Sequence, residues 1–286
     1  MGKLTMNSRR AAGSIIRRLN KVTRKLVRLD QSTIRETLES FKGESSEVLF
    51  VHSSLSHCGY IEGGANTVVN ALKGWVAENT LLAMPTHSWS YPTGNGTIPI
   101  FDSKSTPSLV GAITDFFWKQ RSVVRSLHPS HSLACLGRGA AAFIDQHEYR
   151  ETPCGVGTPY EKIATTKSSV LMFGATLDSY TLFHTAEDAA QVPYLYMRDK
   201  IVLKTKMSDG TVLDVPSWRQ DMGVARRFER MADWLENEKL LLRRKIGRGE
   251  LLFIPRADAV HDRMLRELRQ DPFLLVAEHA RKRIAG

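Results

Sequence analysis

Val48-Leu-Phe-Val-His52 and Thr80-Leu-Leu-Ala-Met84 are two short apolar runs, and they decide the fold. Each is the length of a buried strand, and each is stopped by polar or turn-forming residues. Between them, Ser53 to Gly64 reads as a loop and Ala65 to Ala77 as a helix. A strand, a helix and a second strand in that order predict a parallel pair joined by a crossover.

The same pattern extends in both directions. Upstream, Gln31 to Phe41 reads as a helix that Asp30 or Ser32 can cap. Downstream, helices are expected over Val110 to Gln120, Gly139 to Glu148, Tyr180 to Gln191 and Gly223 to Glu238. Further strands are expected at Ser132 to Leu136, Val170 to Gly174 and Glu250 to Ile254, with a helical C-terminus. Tyr194 to Val215 alternates around Ser208-Asp209-Gly210, which predicts a β-hairpin. The expected fold is α/β: one domain with a mixed, largely parallel central sheet flanked by helices, plus an antiparallel hairpin addition. Residues 85–108 form a long polar stretch, and a loop of that length in a compact domain is usually functional.

Charge divides the chain in two. Residues 1–29 carry nine cations and no acid, against +10 for all 286 residues, so the body from residue 30 is nearly neutral. That distribution argues against a nucleic-acid enzyme with a basic cleft. Ile15, Ile16, Leu19, Val22, Leu26 and Val27 recur at helical spacing within residues 1–29, which therefore read as a basic amphipathic arm. Such an arm either docks its apolar stripe on the domain or attaches peripherally to an anionic membrane face. The domain proper is expected over 30–286. No apolar run approaches a membrane span and no signal peptide is visible. Cys58, Cys135 and Cys154 are too few and too scattered for a disulfide framework or a zinc site, so a cytoplasmic setting is expected, possible contact being with its inner membrane face.

Four segments place reactive side chains next to strand ends, where ligands of open α/β sheets bind. Val51-His-Ser-Ser-Leu-Ser56 runs on to Glu62-Gly-Gly-Ala65, where free N–H groups at a helix start suit a phosphate or belong to a plain capped turn. Met84-Pro-Thr-His-Ser-Trp-Ser-Tyr91 puts His87 and Trp89 past a strand, to meet a substrate or to cover the core. Leu127-His-Pro-Ser-His-Ser132 carries His128 and His131. With His87 these would be the ligands of a metal hydrolase, but no carboxylate lies near them in sequence, and a structural or substrate-shaping role is expected with no metal. In Thr181-Leu-Phe-His-Thr-Ala-Glu-Asp188, Glu187 and Asp188 lie three and four residues beyond His184, so either carboxylate can reach the imidazole face. A carboxylate that takes one ring N–H raises the basicity of the other nitrogen, which suits a general base; the same spacing also suits a surface ion pair.

Together these segments resemble the ordered motifs of the aminoglycoside 3-N-acetyltransferases, an acetyltransferase family distinct in fold from the GNAT enzymes. Cys154-Gly-Val-Gly-Thr-Pro-Tyr160, Phe101-Asp-Ser-Lys-Ser-Thr-Pro-Ser108 and Lys245-Ile-Gly-Arg-Gly-Glu-Leu-Leu-Phe-Ile254 also match, and the resemblance covers the chain from about residue 30. It implies acetyl-CoA as donor and a small-molecule amine as acceptor. It implies His184 as catalytic base, Glu187 as its carboxylate neighbour, and Ser53, Ser54, Leu55, Thr106, Pro107 and Ser108 against CoA. His87, Trp89, His128 and Asp188 are the expected substrate contacts, and a Cys154 nucleophile is not needed. One feature cuts against a polycationic drug as acceptor: loops 85–108 and 150–160 hold only Asp102 and Glu151, with Glu148 nearby. An amino sugar carried on a nucleotide or lipid is the alternative acceptor, and a membrane-binding module the non-enzymatic one.

Overall fold

The computed structural model describes residues 28–41 and 46–284. The amphipathic helix expected in the arm lies outside the described residues. Pairing begins just ahead of Asp30: strand β1 (Arg28–Leu29) runs parallel to β3 (Tyr60–Ile61). The remaining strands are β2 (Val48–Ser53), β4 (Leu81–Pro85), β5 (Ile100–Phe101), β6 (Val124–Arg125), β7 (Leu133–Leu136), β8 (Ser169–Phe173), β9 (Tyr196–Lys206), β10 (Val212–Gln220), β11 (Leu242–Ile246) and β12 (Gly249–Ile254).

The central sheet has the order β11-β12-β8-β2-β4-β7-β6. Only β8, β2 and β4, at its centre, run parallel. The pairs β11–β12, β12–β8, β4–β7 and β7–β6 are antiparallel. The sheet is therefore mixed rather than largely parallel. The cause on one side is local: a turn at Gly247 and Arg248 returns β11 directly as β12, and Gly247 (φ 55°) approaches the carbonyl of Cys58 too closely for a side chain.

Both faces of this sheet are covered, which is why its strands read as unbroken apolar runs. In β2, Val48 and Phe50 join the core on one face, and Leu49 and Val51 the core on the other. The second face is covered by α1 (Gln31–Glu39), α2 (Ala65–Trp75) and α3 (Ala112–Phe117), through Ile34, Leu38, Val68, Leu72, Ile113 and Phe117. The first face is covered by α4 (Ala140–Ile144), α5 (Pro159–Thr165), α6 (Leu182–Ala189), α7 (Ala232–Asn237) and α8 (Ala257–Gln270); α9 (Glu278–Ile284) follows.

A separate three-stranded sheet has the order β10-β9-β5. Its β9–β10 hairpin turns through Asp209, whose carboxylate accepts the Thr211 N–H, and Gly210. Strand β5 ties the long loop 85–108 to β9. The helix expected over Gly223 to Glu238 is shorter: 223–227 is irregular, a 3-10 turn spans Phe228–Met231, and only α7 is α-helical.

Candidate active site

The parallel strands β2, β4 and β8 end at Ser53, Pro85 and Phe173, and a cavity of about 430 Å³ opens beyond those ends. The turn after β2 is held tightly. Ser54 N–H donates to the Phe173 carbonyl at 2.8 Å. Gly174 (φ 66°) passes so close to Cys58 and Ser54 that a Cβ there would lie 2.6 Å from Cys58 Sγ and 2.7 Å from the Ser54 carbonyl. This glycine is required for the two strand ends to meet.

Helix α6 delivers His184 to the cavity wall. His184 Nδ1 lies 2.6 Å from Glu187 Oε2, and the other carboxylate oxygen accepts from Arg226 Nε at 3.0 Å. Glu187 is fully buried. Burial pushes its carboxyl pKa up, but hydrogen bonding and charge from His184 and Arg226 outweigh that and hold it below the usual carboxylate range. An ionised Glu187 accepts the hydrogen bond from Nδ1–H and leaves Nε2 as the nitrogen free to accept a proton. No motif in the sequence marks Arg226: it sits in the irregular stretch before the 3-10 turn, where its guanidinium also donates to the carbonyls of Asp221 and Val224.

Asp188 does not share the imidazole. It accepts from Tyr196 Oη at 2.7 Å and from the Val156 N–H at 3.1 Å, on the side of α6 that faces the hairpin. Its expected place at the substrate is thus taken up by internal contacts. His128 is also set back: it is fully buried, stacks on His147 with ring centroids 4.8 Å apart, and does not line the cavity. His87 and Trp89 do line it. His87 Nε2 is 2.9 Å from Tyr160 Oη, and burial holds its pKa well below the usual histidine range. Trp89 is 44% exposed with φ 42°, a strained conformation for a bulky side chain. His131, singled out with His128 in the sequence, also lines it, and His52, His57, Asp178, Gln220 and Met222, none of them among the expected site residues, complete much of the wall. Cys154 is fully buried away from the cavity, and burial raises its thiol pKa well above the usual range, which removes it as a nucleophile. Among the described residues no group of three or more His, Cys, Asp or Glu could hold a metal ion.

A second groove, of about 660 Å³, continues from the first through Ser53, Ser54 and Val110. Leu55, Gly63 and Gly64 line it, as do Gly111 and Ala112. Helices α2 and α3 start at Gly64 and Gly111, and neither start has a side-chain cap. Thr106, Pro107 and Ser108 line neither space. The Thr106 carbonyl is bound by Arg125, and Ser108 Oγ lies 3.0 Å from Thr114 Oγ1, so this stretch supports the groove wall from behind while 110–112 faces it.

Comparison with known proteins matches this framework. The family model for aminoglycoside 3-N-acetyltransferase matches residues 50–264. Aminoglycoside N(3)-acetyltransferase III of Salmonella is 33% identical over 57% of this chain and 62% of its own length. An aminoglycoside N(3')-acetyltransferase-like protein of Bacillus subtilis is 31% identical over 57% of this chain and 66% of its own. The chain thus spans slightly under two thirds of these two curated relatives. The solved structure of AAC-IIIb in binary complex with CoASH aligns with a TM-score of 0.72 at 20% identity, covering 85% of this chain and 97% of that one, and so shares the fold. With the family match spanning most of the sequence, the chain belongs to the aminoglycoside 3-N-acetyltransferase family.

Proposed function

We propose that this protein transfers the acetyl group of acetyl-CoA to an amino group of an aminoglycoside or amino sugar. The observation that carries the reading is the buried relay Arg226–Glu187–His184, which ends on the cavity at the carboxyl ends of the parallel strands. His184 Nε2 takes the proton from the substrate ammonium. The neutral amine attacks the thioester carbonyl; as the tetrahedral intermediate collapses the C–S bond breaks, the CoA sulfur leaves as the thiol with the proton held by His184, and the new amide nitrogen releases its second proton to solvent. Ser54 N–H is committed to Phe173, so it is not an oxyanion donor. The Ser53 hydroxyl is better suited, because it is buried, has no partner among the described residues, and borders both spaces.

The groove over Ser53, Ser54 and Leu55 is assigned to CoA, with its phosphates at the uncapped starts of α2 and α3. A solved relative bound to CoASH supports that use of the fold. The test is thiol release from acetyl-CoA, measured against kanamycin-type drugs and nucleotide-linked amino sugars. Release with either class is expected; release with no amine overturns the reading.

A further inference from the structure

The lining of the groove assigned to CoA holds no cation. Ser53 and Ser54 mark its end at the cavity beside His184, while Tyr60 and Gly64 line it away from that cavity. Among the described residues that line the groove, none is lysine, arginine or histidine. The cavity adds neither lysine nor arginine. CoA is strongly anionic: besides its pyrophosphate it carries a 3′-phosphate monoester, with about two negative charges at neutral pH. The uncapped start of α2 offers N–H groups equivalent to about half a positive charge, which suits one phosphate and leaves the rest unmatched.

Positive charge stands at the Tyr60 end. Arg28 pairs with Tyr60 across the parallel strands β1 and β3, is exposed, and holds its guanidinium 5.7 Å from the centre of the Tyr60 ring. Tyr60 is itself 39% exposed, an aromatic face open at the groove. The chain is fixed at this point, because Leu29 is buried in the core and its carbonyl accepts from the Glu62 N–H. The acids beside it, Asp30 and Glu62, do not line the groove, and Asp30 caps the start of α1. Eight more cations and no acid precede Arg28 in the sequence. Lys25 and Arg24 come three and four residues before it, so by chain length alone their Cα atoms stay within about 14 Å of Arg28.

We propose that Arg28 and the basic residues preceding it bind the 3′-phosphate of CoA at the Tyr60 end of the groove. The thioester then lies at the Ser53 end, beside the cavity that holds His184. This rests on the assignment of the groove to CoA. Exposed cations are individually weak partners, but anchorage at β1 makes their contact intramolecular and lets them act together. A phosphate monoester also suits the arginine fork, which sets two N–H groups against two oxygens.

Titration calorimetry of the full chain tests this with CoA and with 3′-dephospho-CoA, which lacks only that phosphate. One variant combines Arg24→Gln, Lys25→Gln and Arg28→Gln; Leu29 is kept, so β1 retains its place in the core. Arg28→Gln alone is the milder second variant. The wild type is expected to bind CoA at least about fivefold more tightly than 3′-dephospho-CoA. That preference should collapse in the triple variant and shrink in Arg28→Gln. Wild-type affinity for CoA should also fall more steeply with salt than that of the triple variant. A triple variant that keeps the full preference overturns the proposal, as does a wild type that binds both donors equally. If the triple variant keeps the preference but no longer sediments with phosphatidylserine vesicles, the arm serves a membrane surface instead. Weakened CoA binding in Ser54→Glu beside either of these results leaves the groove assignment standing; unchanged CoA binding in Ser54→Glu overturns that assignment, and this proposal with it.

Discussion

Arg226 Nε donates to Glu187 Oε1 at 3.0 Å across 39 residues of sequence, and so neutralises a carboxylate that has no access to water. Arg226 is itself 7% exposed and stands over the Tyr194 ring at 5.3 Å. Replacing it by Met would leave Glu187 as an uncompensated buried charge beside His184. Arg226→Met should therefore lower stability by about 3–5 kcal/mol, the usual loss when one partner of a buried pair is removed. Arg226→Lys keeps the charge but not the planar fork, and should fall between. Chemical denaturation of the two variants checks this, and an unchanged midpoint in the Met variant would refute the pairing.

His184→Ala should lower turnover by on the order of 10²–10⁴, the range for a lost general base. CoA affinity should hardly change, because the imidazole acts on the amine and is not among the residues that line the CoA groove. Glu187→Gln should cost less, since it weakens the grip on Nδ1 without removing the ring. Asp188 offers no rescue, because Tyr196 and Val156 hold its carboxylate. Steady-state kinetics with a saturating amine, beside calorimetry with CoA, separates the two effects. Near-normal turnover in His184→Ala would transfer the role to His87 or His131.

Much of this arrangement was legible in the sequence, and the exceptions have physical causes. Runs such as Val48–Val51 announced strands because both sheet faces are covered, and the three-residue spacing of His184 and Glu187 is a local property of a helix. Helical spacing alone cannot choose between Glu187 and Asp188. That choice was made by Arg226 on one side and Tyr196 on the other, both contributed by tertiary packing. The helix expected from Gly223 stops short because Arg226 binds nearby carbonyls and forms a bridge with Val276. Strand direction is equally non-local, so the mixed sheet is less parallel than expected, its outer pairs running antiparallel. Residues 110–112 line the second groove and 106–108 do not, and periodicity does not encode that in a loop.

Arg125 fastens the long loop to the sheet. Its guanidinium donates to the Thr86 and Thr106 carbonyls and to the Thr86 and Ser132 hydroxyls, between the rings of Phe101 and Trp118, each 4.8 Å away. Burial lowers its pKa to about 10, so it stays charged at neutral pH. Arg125→Met would strand several buried acceptors at a cost on the order of 3 kcal/mol. The loop over 92–107 should then become a preferred protease site, and limited proteolysis with mass spectrometry reads this directly. A cleavage pattern identical to wild type would show that β5 alone holds the loop.

Acid should destabilise this fold through its buried histidines. Burial lowers His52, His131 and His147 to about 3 from 6.5. Between those values the unfolded chain binds more protons than the folded one, so stability rises with pH across the window and is complete above about 6.5. Each such histidine contributes a slope of up to about 1.4 kcal/mol per pH unit. His147 is the cleanest to test, since Ser126 Oγ donates to its Nδ1 and its Nε2 donates to the Pro153 carbonyl, which fixes the neutral form. Denaturation midpoints from pH 5 to 7 should fall towards acid, and His147→Gln should flatten that slope even if it lowers the plateau. A slope equal to wild type would mean that His147 does not stay neutral in the fold.

The groove after β2 makes a claim about CoA that one substitution addresses. Ser54 borders both spaces, and its Oγ lies 2.6 Å from His57 Nδ1. The turn itself is pinned by Ser54 N–H to Phe173 and by the close approach of Gly174, so a new side chain at 54 must occupy the groove rather than move the backbone. Ser54→Glu would put a carboxylate and added bulk where the donor passes, and repulsion should reach the phosphates assigned to the starts of α2 and α3. CoA affinity is expected to fall by at least about tenfold, equivalent to about 1.4 kcal/mol. Ser54→Ala loses the hydroxyl contacts with His57 and Ser56 without adding charge or bulk, and its affinity should fall by much less. Part of the Glu effect should fade at high salt, because exposed charges are screened while bulk is not. Titration of CoA into both variants at low and high salt provides the reading. If Ser54→Glu binds CoA like the wild type under both conditions, the donor does not run through this groove, and the uncapped helix starts have another use.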